Sequence, residues 1–136
     1  MDIIKKLPED LRKYILAFTY EPQPYSLLSD IQHYTRTRPI IQEWYTNRFA
    51  WEYPNAENDW LNNDLIGFCN DHYATMYGYR DNFISIFARL FYLKNKSRQQ
   101  IITLCRKVFR RDEGNNITWG LLTIEERENF ISHWEI

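Results

Sequence analysis

Apolar residues recur along this chain at spacings of three and four, the period of an α-helix, and no alternating run competes with that pattern. Leu11, Tyr14, Ile15 and Phe18 fall on one face of a predicted helix from about Pro8 to Tyr20, with Arg12 and Lys13 on the other. Pro8 suits a first helical turn, where its missing N–H would have no intrahelical partner, and Glu9 and Asp10 complement the helix dipole. The two prolines of Glu21-Pro22-Gln23-Pro24 end that helix. Ser26 is the predicted cap of a second helix, with Leu27, Leu28, Ile31 and Tyr34 on its apolar face. Thr37-Arg38-Pro39 is expected to break it and to begin a third, in which Ile40, Ile41, Trp44 and Tyr45 repeat.

Trp51-Glu52-Tyr53-Pro54-Asn55 reads as the strongest boundary. Beyond it a helix near Glu57–His72 turns Trp60, Leu61, Leu65, Phe68 and Cys69 inward. Tyr77-Gly78-Tyr79 is a turn, after which Asp81 is expected to cap a helix whose Phe83, Ile84, Ile86, Phe87, Leu90, Phe91 and Leu93 cover most of its circumference. Asn95-Lys96 turns the chain again, and Ser97 caps a helix carrying Ile101, Ile102, Leu104, Cys105, Val108 and Phe109. Glu113-Gly114-Asn115-Asn116 reads as a loop. Thr123 and Glu126, three apart, form a capping box for a last helix with Arg127, Phe130, Ile131 and Trp134. The expectation is an all-α protein of about seven helices. It divides into a three-helix unit over residues 1–50 and a helical bundle over 57–136, or forms one continuous domain.

Composition adds two things. Aromatic residues make up 17% of the 136 positions, so large rings must build much of the core or a binding surface. Net charge is −1, but residues 81–111 carry eight basic side chains and one acidic, between two acidic stretches. Lys94, Lys96, Arg98, Arg106, Lys107, Arg110 and Arg111 lie on or beside one predicted helix. They form a candidate phosphate-binding patch for nucleic acid, or a solvated face neutralised by Glu125, Glu126 and Glu128. Cys69 and Cys105 sit in apolar helical patterns and read as buried thiols in a reducing compartment. Neither a signal-peptide pattern nor an apolar run of about 20 residues occurs, so the expected setting is intracellular or inside a larger assembly, without membrane contact.

Leu7-Pro8-Glu9-Asp10-Leu11, followed by Tyr14-Ile15-Leu16 and later by Leu27-Leu28, Ile31 and Trp44, resembles the F-box. The likeness spans about residues 4–49. The opening is also similar to F-box-like proteins of giant DNA viruses, which places the chain in host cytoplasm, nucleus or virion. The resemblance implies docking to the linker subunit of a cullin-RING ubiquitin ligase, through Leu7, Pro8, Leu11, Tyr14, Ile15, Leu28, Ile31 and Trp44. The double-proline linker and Tyr34-Thr35-Arg36 depart from the family pattern. The alternative is that Leu7-Pro8 starts an ordinary helix whose apolar face joins the protein's own core.

Enzyme chemistry finds no foothold in the sequence. Cys69 and His72 stand three apart, a spacing that can ligate a metal, but no second pair completes a site, and a buried thiol beside a surface imidazole explains both. No Gly-rich phosphate loop, HExxH or GxSxG is present. The reading is a non-enzymatic interaction module with no catalytic residue, metal or cofactor. The alternative is a structural or assembly protein with weak nucleic-acid affinity through the basic helix.

Overall fold

A computed structural model describes residues 25–90, 95–110 and 113–136. The predicted first helix, with Leu7, Pro8, Leu11, Tyr14, Ile15 and Phe18, lies outside the described residues, as do Phe91, Leu93, Lys94 and Arg111. The chain divides into two compact units, Met1–Gln32 and His33–Ile136. Of the first, the opening of one helix is described. All that follows on packing concerns the second.

The described residues form six α-helices and no strand, as the periodicity predicts. They are α1 (Tyr25–Phe49), α2 (Ala56–Cys69), α3 (Asp81–Phe87), α4 (Arg98–Phe109), α5 (Gly114–Leu121) and α6 (Ile124–His133), with a 3-10 turn at Thr75–Tyr77. The expected break at Thr37-Arg38-Pro39 does not occur: α1 runs straight through Pro39. A proline inside a helix costs about 3 kcal/mol. Here His33, Thr37, Ile41 and Tyr45 form a row at four-residue spacing that is buried on both sides of the proline, while Pro39 itself is exposed. The Thr37 hydroxyl also donates to the His33 carbonyl at 2.7 Å, adding a bond in the turn before the proline. Burying that row outweighs the one ladder bond Pro39 cannot make.

Helix α2 begins after Asn55, whose φ of 66° is left-handed, a region asparagine tolerates better than most side chains. It buries Ala56, Leu61, Leu65 and Cys69. Trp60 does not point inward as expected; it is partly exposed, stacked on Phe49 at 5.0 Å, with its indole N–H donating to Glu52 at 2.9 Å. Asn70 then organises the whole turn to α3. Fully buried, it donates to the carbonyls of Tyr73 and Gly78 at 2.8 and 3.1 Å and accepts from the Arg80 amide at 2.7 Å. Arg80, not Asp81, holds the cap position of α3, and no side-chain cap bond forms there. Asp81 instead pairs with Arg98 at 2.8 Å.

The predicted capping box of the last helix is present, and the cap predicted at Ser97 is a capping box as well. Ser97 and Gln100 close one on α4, Thr123 and Glu126 the other on α6. Each cap contributes about 1 kcal/mol. The stretch read as a loop at Glu113–Asn116 is the start of α5. A Cβ on Gly114 would lie 2.6 Å from the Val108 carbonyl oxygen, so only glycine lets α5 start this close to the end of α4.

The aromatic residues mostly build the core. Phe83 packs on Phe87 at 4.6 Å, Phe87 on Phe109 at 5.4 Å, and Trp119 on Phe130 at 5.5 Å. Cys69 and Cys105 are free, buried thiols, and burial pushes each up to about 12. Among the described residues no helix is long and apolar enough to cross a membrane.

Candidate functional site

The predicted docking residues that fall in the described part do not share one environment. Leu28 and Ile31, one turn apart on α1, are each 44% exposed. Trp44 is half-buried and held in place, edge-on to Tyr45 at 4.8 Å and covered by the Arg48 guanidinium at 4.2 Å from its ring centre. Its neighbour Tyr45 is fully buried and donates to Asp64 at 2.6 Å; burial first, then that hydrogen bond, pushes the Tyr45 phenol far above its ordinary range. Trp44 therefore reads as part of the wall of the core, and of the predicted docking residues that are described, Leu28 and Ile31 are the exposed ones.

The basic candidates Lys96, Arg98, Arg106, Lys107 and Arg110 are all exposed. Two of the three acidic side chains expected to neutralise them, Glu126 and Glu128, are engaged elsewhere. Glu126 accepts two hydrogen bonds from Arg89, at 2.6 and 3.2 Å, and Glu128 accepts from His33 at 2.6 Å and faces Arg36 at 3.7 Å. Within α4 the outward faces differ. Arg98 is taken up by Asp81 and by the Tyr79 carbonyl, and Arg106 reaches the Tyr79 ring and hydroxyl. Arg106 and Arg110 stand four residues apart, so both lie on one side of the helix.

Arg110 leads into a feature the hydrophobic pattern does not reveal. A cleft of about 430 Å³ is lined by Asn55, Asn58, Asp59, Asn62, Phe109, Arg110 and Asn115. Four of these, at 55, 58, 59 and 62, follow the one-face spacing of a helix. That spacing was the available signal in the sequence, but it is written in polar residues, where a core-seeking reading does not look. Asn115 is its fixed point. It is buried, donates to the Asn58 carbonyl at 3.0 Å and accepts from Asn62 at 3.1 Å, so α2 and α5 are tied across the floor. Gln42 donates to Asn58 at 3.3 Å. Phe109 forms the apolar wall, propped edge-on by Phe87 and by Phe83 at 6.1 Å.

A second polar cluster is buried at its centre, with the half-exposed Glu128 at its rim. Arg127 is fully buried; its Nε donates to the Trp119 carbonyl at 2.9 Å and its Nη2 to the Gly120 carbonyl at 3.3 Å. Its Nη1 faces His33 Nδ1 at 3.4 Å, while His33 Nε2 meets Glu128 at 2.6 Å. An imidazole carrying its proton on Nε2 satisfies both contacts, donating to the carboxylate and accepting from the guanidinium. The Trp119 indole donates to Thr37 at 3.0 Å, which completes the network. Among the described residues its bonds join α1, α5 and α6, so it serves the fold.

The Cys69 and His72 pair separates. Cys69 is the last residue of α2 and buried, whereas His72 is exposed, beyond the helix end, with a left-handed φ of 64°. His72 stacks instead on His133 at 4.5 Å. Among the described residues no cluster of three or more His, Cys, Asp or Glu side chains is arranged to hold a metal. No protein-family model, curated protein or solved structure matches this chain.

Proposed function

We propose that this chain is a non-enzymatic protein-interaction module whose residues 1–50 dock the linker subunit of a cullin-RING ubiquitin ligase. The observation that supports the reading is the exposure of Leu28 and Ile31, which falls on two positions the F-box resemblance assigns to the partner. Apolar side chains one turn apart form a contact strip, and each, already more than half covered, adds roughly 1 kcal/mol when a partner covers the rest. The test is a binding assay between the purified full chain and the purified linker subunit. Leu28→Asp/Ile31→Asp is expected to weaken binding at least about a hundredfold, by placing two charges in the contact. Leu7→Ala/Pro8→Ala is expected to weaken it as well. Equal binding by wild type and both variants overturns the proposal.

A second reading, a structural or assembly subunit, has its own support in Trp51, Met76 and Tyr77, exposed by 79%, 81% and 82%. Large apolar side chains this open on a small protein mark contact surfaces when they cluster. Solution mass decides between the readings: self-association abolished by Met76→Ser/Tyr77→Ser supports assembly, and a monomer at all concentrations removes it.

A further inference from the structure

We propose that the asparagine-lined cleft between α2 and the end of α4 is a base-binding pocket for single-stranded nucleic acid, with the outer side of α4 carrying the phosphates. The cleft volume, about 430 Å³, lies within the range of small-molecule sites. Its chemistry narrows the ligand. Among the described lining residues Asp59 and Arg110 bring one charge of each sign, a setting that suits a neutral polar group better than a free anion. The carboxamides of Asn55, Asn58 and Asn62 offer donors and acceptors side by side. That pairing matches the edge of a purine: a carboxamide meets the adjacent donor and acceptor of adenine, and a guanidinium meets the two acceptors of guanine.

The wall completes the match. Phe109 is held by Phe83 and Phe87 from within the core and presents apolar surface to the cleft, which is what a stacked base requires. From Arg110 at the mouth of the cleft, Arg106 and Lys107 continue the exposed cationic side along α4, and neither Glu126 nor Glu128 of α6 is spent on them. A strand whose base enters the cleft beside Arg110 therefore runs its phosphates onto cations. A duplex cannot do this, because its bases are stacked and paired, whereas single strands can splay a base outward. The inference is independent of the docking reading, which rests on α1.

Fluorescence anisotropy with the full chain tests it, using short labelled single-stranded homopolymers of each base, a matched duplex and a purine mononucleotide. Purine strands are expected to bind most tightly, above pyrimidine strands, duplex and mononucleotide, with affinity falling as salt rises. Arg110→Gln is expected to lower the slope of log affinity against log salt by about 0.7, the share of one phosphate contact on a single strand. Asn55→Gly keeps a residue suited to the left-handed backbone and removes one carboxamide. It is expected to reduce the purine preference roughly fivefold or more while leaving the salt slope unchanged. If Asn55→Gly melts well below wild type, Arg110→Gln, on the exposed side of α4, decides the question. No binding at low salt, equal affinity for all four bases, or full affinity for the mononucleotide alone overturns the proposal. So does a purine preference untouched by either substitution.

Discussion

Phe83 and Phe87 at one side of the core and Arg127, His33 and Thr37 at the other are all buried, yet they hold the fold by different physics. On the α3 and α4 side, rings pack on rings and on Ile101 and Cys105. The energy there is non-directional, scaling with apolar area, and neighbouring side chains can shift to refill lost volume. Between α1, α5 and α6 the buried polar contacts are bonds, each with a direction and a fixed partner. An atom removed there leaves a donor or acceptor stranded away from water, and no shift of neighbours replaces it. The apolar side is therefore tolerant in detail and the polar side is not.

The largest expected effect breaks that contrast if it fails. Phe87→Leu should cost about 1.5 kcal/mol or less, as a hydrophobic swap that keeps most of the volume. Arg127→Met, also close in volume, should cost about 3 kcal/mol, because the Trp119 and Gly120 carbonyls and His33 Nδ1 lose their donor. Chemical denaturation of the two variants measures both. Equal costs would mean the arginine is no more than filler.

A smaller effect sharpens the same point. Thr37→Val removes the acceptor of the buried Trp119 indole without changing side-chain size much, at about 1–3 kcal/mol. Trp119→Phe in the Thr37→Val background should then cost clearly less than Trp119→Phe in the wild type, since the stranded donor disappears with the indole. Additive losses in that double-mutant cycle would show that the bond is not coupled.

The smallest effect is one of pH. Burial alone would raise the Glu126 carboxyl, but hydrogen bonds from Arg89 and Thr123 outweigh it and hold the group below its ordinary value of 4.5. A carboxylate depressed in this way adds stability that is complete above its unfolded value and is lost as pH falls through its folded value. Wild type should therefore lose stability on acidification below about pH 4.5, and Glu126→Gln should lose less over the same range. Parallel acid profiles for the two proteins would assign the loss to other groups.

The same contrast explains what the sequence could disclose. The helices α2, α4 and α6 are legible because their signals are local: apolar residues at helical spacing, a cap at Ser97 and a capping box at Thr123. Arg127 was placed on the last helix, but nothing local distinguishes an arginine that reaches solvent from one whose partners lie at Trp119 and His33. Helix α5 was read as a loop because its Gly114-Asn115-Asn116 start has the composition of a turn. The reason for that glycine is the Val108 carbonyl, a contact invisible until α4 and α5 are folded together. Pro39 misled for a related reason, since the row that overrides it is anchored by residues far along the chain. The cleft was hidden by its polarity: Asn55, Asn58, Asp59 and Asn62 keep helical spacing without a single apolar side chain.

The buried arginine also sets an order of events during synthesis. His33 emerges 94 residues before Arg127, its partner. At ordinary elongation rates that interval is on the order of 5–20 s, during which α1 carries the exposed underside of an unfinished core. His33 and Thr37, whose partners lie at Arg127 and Trp119, must stay uncommitted through most of that time, long compared with the formation of any single helix. A nascent chain stalled before residue 127 should accordingly be protease-sensitive along α1, and release of the stall should protect it in one step.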